Sequence, residues 1–253
     1  FIMRVPFQNQ SIHLEIHGSG PDLLICLHGY GNSAHLFQPL IKQFPTGIRT
    51  LAFDLPGMGS SSLSSPGNAI PAKDWHELLS TILNKFPETE RVFLIGYSIG
   101  ARIALHWFQK ADIPITKVIL IAADGLRLHP LYRFCVKNPL GRGLFRLTLR
   151  HPKPFLFLLR MLYNLKLLDR VRYRWISTLL KDKSEREQLL NVWLGYRCLG
   201  KDMQKIQQNA RAWNTQWLVI GGKKDRVIKP KWGLEFAQSV PGGNFQLIEG
   251  GHY

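Results

Sequence analysis

The sequence predicts an α/β fold, with a mostly parallel central sheet covered by helices and interrupted by a helical insertion. Three observations lead there. Short apolar runs alternate with segments of helical periodicity, the rhythm of parallel strands joined by crossover helices. One run, Val92 to Ile95, ends at Gly96-Tyr97-Ser98-Ile99-Gly100 and passes directly into an apolar helix. The rhythm then breaks after Asp124-Gly125, and no convincing strand follows from Leu126 to about Ala212. At 253 residues and 45% apolar composition, the chain can bury one sizeable core with an insertion.

Taken in order, Ile2–Val5 and Ser11–Ile16 read as a hairpin around Gln8-Asn9-Gln10. Leu23–Leu27 is a buried strand ending at His28-Gly29-Tyr30-Gly31. A helix follows, capped by Ser33, with Leu36, Phe37, Leu40 and Ile41 as its apolar face. Thr50–Phe53 is the next strand, and the Ser/Gly/Pro-rich stretch to Pro71 is loop. Asp74–Phe86 is helical, burying Trp75, Leu78, Leu79 and Ile82. The Ser98 strand and its helix come next, then a strand over Val118–Ala122. The insertion is helical, punctuated by Pro130, Pro139, Pro152 and Pro154. Strands return at Gln216–Gly221 and Phe245–Ile248, flanking a helix over Lys231–Ser239. The expected division is a core over 1–125, a helical cap over 126–200 and a second core segment over 201–253.

Gly-x-Ser-x-Gly between strand and helix is a specific physical arrangement. The turn is so tight that a Cβ two residues before or after the serine would clash, so glycine is required there. Ser98 then stands above the sheet at a helix N-terminus, where backbone amides favour negative charge.

With these residues the chain resembles the α/β-hydrolase superfamily, apart from the insertion. The resemblance implies that Ser98 is the nucleophile. It places the acid at Asp225, in Gly221-Gly222-Lys223-Lys224-Asp225, and the base at His252, in Glu249-Gly250-Gly251-His252. Each follows a predicted strand end, where open parallel sheets place their sites. Serine is a poor nucleophile near neutral pH. His252 would take its proton, and Asp225 would fix the imidazole tautomer. The turn His28-Gly29-Tyr30-Gly31 resembles the family's oxyanion turn, which implies the backbone amides of Tyr30 and Ile99 as donors. Gly29 would then border the substrate, and His28 would organise the loop. Asp54-Leu55-Pro56-Gly57-Met58-Gly59-Ser60 resembles a supporting loop of the family. Met58 stands where many members have histidine.

Two residues carry alternatives. Asp124 also follows a strand end and is a rival acid, a cap-hinge residue or a substrate contact. Arg102 is either a substrate-anion contact or half of an ion pair on the helix surface. Gly-Tyr-Ser-Ile-Gly-Ala-Arg also resembles the elbow of the menaquinone-pathway SHCHC synthase, an α/β-hydrolase-fold lyase that expels pyruvate. In that family the corresponding Arg binds the anionic substrate. Three functions are therefore weighed: a serine hydrolase acting on an ester or related small substrate, such a lyase, and a non-catalytic binding protein.

Net charge is +16, and most of it lies in the insertion. Arg127 to Arg186 holds fifteen lysines and arginines against Asp169, Asp182 and Glu185. Interleaved with Leu and Phe, they form an amphipathic surface. It is a solvated face, a guide for an anionic small-molecule substrate, or a peripheral membrane contact. No nucleic-acid-binding module accompanies the charge, and oligomeric state is not legible. The seven histidines other than His28 and His252 lack metal-ligand spacing. No metal or cofactor is implied. Cys26, Cys135 and Cys198 cannot all pair and read as buried free thiols of a reducing, cytoplasmic compartment. No apolar run is long enough to span a bilayer. The N-terminus lacks signal-peptide regions and an initiator methionine, so upstream residues are expected. The superfamily continues with a helix after the histidine loop. Residues beyond Tyr253, or a partner, are expected to cover that face.

Overall fold

The strand ends converge on one edge of a single sheet. The computed structural model describes residues 1–45, 47–63 and 65–252, with the side chain of Val171 excepted. Tyr253, at the expected end of the second core segment, lies outside the described residues. The strands are β1 (Ile2–Phe7), β2 (Gln10–His17), β3 (Asp22–Leu27), β4 (Ile48–Phe53), β5 (Arg91–Tyr97), β6 (Lys117–Ile121), β7 (Gln216–Gly222) and β8 (Gly243–Ile248). Their order is β1-β2-β4-β3-β5-β6-β7-β8. β2 runs antiparallel to β1 and β4, and the remaining pairs are parallel. Leu27 pairs with both Phe53 and Gly96, and Ile121 with both Tyr97 and Ile220. That register brings the segments after β3, β4, β5, β6 and β7 to the same C-terminal edge.

Ten α-helices lie among the described residues. The first three are α1 (Gln38–Ile41), α2 (Ala72–Leu83) and α3 (Ile99–Lys110). Then come α4 (Pro130–Lys137), α5 (Pro139–Arg150), α6 (Pro152–Asn164), α7 (Arg170–Lys181) and α8 (Lys183–Gly195). The last two are α9 (Met203–Trp213) and α10 (Pro230–Ser239). The chain divides into two compact units. One comprises Phe1–Ser64, Pro71–Arg127 and Cys198–Tyr253, the other Ser65–Ile70 with Leu128–Arg197.

The sheet unit is packed by aromatic side chains. Phe53 meets Trp107 edge-on at 5.6 Å, and Phe108 meets Trp217 at 4.6 Å. α2 buries Trp75, Leu78, Leu79 and Ile82, as its period predicts. α3 is buried on every side from Ile99 to Gln109. The first helix differs from expectation. It is a 3₁₀ turn over Ala34–Phe37 running into the four-residue α1, and Ser33 makes no side-chain cap. The Ala34 amide instead donates to Asp54 Oδ1 at 2.7 Å, so a carboxylate from another loop takes the cap's role.

In the helical unit, proline explains where helices start. Pro130, Pro139 and Pro152 occupy first-turn positions, where a missing N–H costs nothing. Asn138, Asp169 and Asp182 cap α5, α7 and α8 by accepting from Gly141, Arg172 and Glu185 amides. Ser65–Ile70, loop by sequence, packs with these helices: the Ile70 amide donates to the Gly195 carbonyl at 2.8 Å, and Arg146 to that of Gly67 at 2.9 Å.

All three cysteines are free, but the expectation that all are buried holds for Cys26 alone. Cys26 is inside β3, where burial pushes its thiol pKa far up. Cys135 is half-buried and Cys198, at the end of a 3₁₀ turn, is exposed. Among the described residues, no helix is long and apolar enough to cross a membrane.

Candidate active site

The Gly-x-Ser-x-Gly segment forms a strained turn between β5 and α3. Ser98 has φ 51° and ψ −116°, a conformation that costs a non-glycine residue about 1–3 kcal/mol. Hydrogen bonds hold it there. The Ser98 amide donates to Ile121 O at 2.9 Å, and its carbonyl accepts from the Ala101 and Asp124 amides at 3.0 and 3.1 Å. The flanking glycines are steric necessities. A Cβ on Gly96 would lie 2.5 Å from Ala101 Cα, and one on Gly100 would collide with the Leu27 and His28 carbonyls.

Ser98 Oγ lies 3.0 Å from His252 Nε2, and His252 Nδ1 lies 2.8 Å from Asp225 Oδ2. Asp225, on the turn after β7, is buried, and its Oδ1 accepts from the Val227 and Ile228 amides at 2.8 Å each. An ionised carboxylate only accepts, so the proton of His252 sits on Nδ1 and Nε2 is left to accept from Ser98. Burial alone would raise the Asp225 pKa. The hydrogen bonds from His252, Ile228 and Val227, with the attraction of His252, outweigh it and hold the carboxyl below its usual value.

The turn after β3 lies against the serine. A Cβ on Gly29 would stand 3.2 Å from Ser98 Cβ and 2.7 Å from the Tyr97 ring, so only glycine lets this backbone approach. Tyr30 follows in that turn, and Ile99 opens α3 beside Ser98. His28 is fully buried. Its Nδ1 meets Gly29 O at 2.7 Å, and its Nε2 accepts from the Leu55 amide at 3.0 Å. Burial pulls its pKa down to about 4, against the pull of the Gly29 hydrogen bond and the Asp54 charge. His28 is therefore a neutral clamp between two loops.

The β4 loop is organised by Asp54. Its carboxylate accepts from His13 Nδ1 at 3.0 Å and from the Ala34 and Ser60 amides at 2.7 Å each. Gly59, at φ +56°, closes over that carboxylate so tightly that a Cβ would overlap it. Met58 is buried.

Arg102 and Asp124 form a pair at 2.5 Å. Asp124 also accepts from the Gly125 amide at 2.7 Å, while Asp225 is the carboxylate against His252. The expected surface pairing of Arg102 needs correction. Its side chain is only 4% exposed, because α3 is buried on all sides. One participant carried no sequence signal: Tyr97 Oη donates to the carbonyl of His252 at 2.5 Å. It occupies an unspecified position of the motif, so spacing could not single it out. Among the described residues, no group of three or more His, Cys, Asp or Glu could hold a metal ion.

A strained serine, a histidine and a buried aspartate thus stand in one hydrogen-bonded line at the C-terminal edge of a mostly parallel sheet. The family profile described as alpha/beta hydrolase fold matches residues 22–253, and the chain belongs to that family. It is similar to an esterase from Thermogutta terrifontis, with TM-score 0.69 and 18% identity, over 100% of this chain and 91% of that one. It is also similar to a hydrolase from Pseudomonas aeruginosa, with TM-score 0.69 and 18% identity, over 99% and 91%. Among curated proteins it resembles pimeloyl-[acyl-carrier protein] methyl ester esterases. The Vibrio campbellii enzyme is 29% identical over 114 residues, 45% of this chain and 41% of the relative. The Pseudoalteromonas atlantica enzyme is 31% identical over 107 residues, 42% and 39% respectively. The matches thus span less than half the length of these relatives.

Proposed function

We propose that the protein is a serine carboxylesterase that transfers an acyl group from an ester to water. The observation that carries this reading is the line Ser98 Oγ–His252 Nε2 at 3.0 Å and His252 Nδ1–Asp225 at 2.8 Å. Ser98 Oγ attacks the ester carbonyl as its proton passes to His252 Nε2. The Asp225 charge stabilises the imidazolium. The amides of Tyr30 and Ile99 receive the developing oxyanion. Collapse expels the alcohol, protonated by His252, and leaves an acyl group on Ser98. Water, deprotonated by the same imidazole, releases the acid.

The partial matches to methyl ester esterases support a small alcohol as leaving group, and make a carrier-linked acyl methyl ester a natural substrate class to test. The buried pairing of Arg102 with Asp124 supports a structural role for that arginine, rather than the substrate contact on which the lyase reading depends.

The test is acid release from methyl esters of mono- and dicarboxylic acids, followed by pH-stat titration. Turnover should fall at least about 10³-fold in Ser98→Ala with folding intact. Turnover of no ester, or turnover that survives within tenfold in Ser98→Ala, overturns the proposal.

A further inference from the structure

α5 and α6 each carry two apolar faces where a helix of this kind needs one. On α5, Gly141, Phe145 and Leu149 are buried, at spacing i, i+4, i+8. Leu140, Leu144 and Leu147 form a second stripe at i, i+4, i+7, and all three face solvent, Leu140 at 82% exposure. On α6 only Leu159 is buried. Phe157, Leu158 and Met161 are exposed along one side, and Leu165 continues that side beyond the helix end. Phe157 is 73% exposed. A helix that is apolar beyond its core-facing stripe is normally covered by something.

Along the chain, the charge carried by α5, α6 and their flanks is of one sign. Between Asp124 and Asp169 there is no acidic residue, against nine lysines and arginines. Arg142 and Arg146 donate to backbone carbonyls of their own unit. Arg150, Lys153, Arg160 and Lys166 are exposed beside the apolar positions. Long cationic side chains can lay their methylenes along an apolar surface and hold their charge at its rim, which suits the boundary between headgroups and acyl chains. A second copy of the chain would set the same cations against these, so like charge opposes self-association through this face.

We infer that the α5–α6 surface docks peripherally on an anionic lipid bilayer, its leucines and Phe157 entering the acyl boundary and its cations meeting the headgroups. The inference draws on no part of the Ser98 chemistry, and its test does not depend on turnover.

The experiment is co-sedimentation of the full chain with phosphatidylcholine vesicles, with and without about 30% phosphatidylglycerol. Partitioning should be at least about tenfold stronger on the anionic vesicles. It should weaken between 0.1 M and 1 M salt, as the screening length falls from about 10 to about 3 Å. Lys153→Gln/Arg160→Gln/Lys166→Gln should lower it about 10²-fold, from about 1 kcal/mol per basic residue near the surface. Leu140→Ser/Leu144→Ser/Phe157→Ser should lower it at least tenfold. All six positions are exposed, and unchanged unfolding midpoints confirm intact variants. Equal partitioning to both vesicles, binding to neither, or indifference to both triple substitutions overturns the inference. So does a lipid-free dimer dispersed by the apolar triple, which assigns the stripe to a second copy. Capture of an acidic carrier protein without vesicle binding assigns it to a protein partner and equally overturns it.

Discussion

Replacing Asp225 by Asn should leave His252 in place and still disable it. The carboxylate works with both oxygens: Oδ1 accepts from the Val227 and Ile228 amides, and Oδ2 faces His252 Nδ1. An asparagine there must turn its single oxygen toward the two backbone donors, because an NH₂ group against two N–H groups would leave all of them unsatisfied. Its NH₂ then points at Nδ1, which must accept. The ring proton moves to Nε2, and the nitrogen facing Ser98 at 3.0 Å becomes a donor that cannot take the hydroxyl proton. In serine triads generally, this tautomer error costs about 10⁴-fold in kcat. Stability should fall by only about 1–2 kcal/mol, from weaker bonds to the two amides. The folded-state pKa of Asp225 lies below its ordinary 3.8. Its contribution is therefore present above that value and lost as pH falls through the folded pKa, a slope the Asn variant lacks. The assay is kcat on a p-nitrophenyl ester, with urea unfolding of both proteins at pH 7 and pH 3. A loss of kcat under tenfold would refute the tautomer argument.

Other consequences follow from the supporting loops. Gly59→Ala places a Cβ in the Asp54 carboxylate at φ +56°; the backbone alone costs about 1–2 kcal/mol, and urea unfolding should show more than that. Arg102→Ala leaves the Asp124 carboxylate beside Ser98 without its partner, and should destabilise by about 3 kcal/mol while KM for a neutral ester stays within twofold. An unchanged unfolding midpoint would contradict that pairing. His28 is held neutral with its pKa near 4 against an ordinary 6.5. The unfolded chain binds its proton first, so stability should decline by up to about 3 kcal/mol as pH falls from 6.5 to 4. His28→Asn should flatten that part of the pH profile, measured by thermal unfolding, and an unaltered slope would exclude His28 as its source.

The parts of the fold legible in sequence are those written in local pattern. The alternating apolar runs, the four-residue face of α2 and the glycines around Ser98 follow from periodicity and steric need. Less legible are features set by contacts distant in sequence. Ser33 looks like a cap, but Asp54, twenty residues on from Ala34, takes that residue's amide. Asp124 and Asp225 both follow strand ends, so strand position alone does not separate them, and only the motif resemblance favours Asp225. Their difference lies in what surrounds them, Arg102 in one case and His252 in the other. Tyr97 anchors the His252 carbonyl from a position the motif leaves open. The outer stripes of α5 and α6 are hidden for another reason: a helix apolar on two faces gives a period that does not say which face is buried.

The central claim is that Ser98 is a nucleophile activated by His252. The most direct measurement is intact mass after reaction with a fluorophosphonate, which bonds covalently to an activated serine. The account predicts a single adduct on the native chain, none on Ser98→Ala, and labelling slowed by orders of magnitude in His252→Ala. An adduct that persists on Ser98→Ala, or a native chain that stays unlabelled, would contradict it.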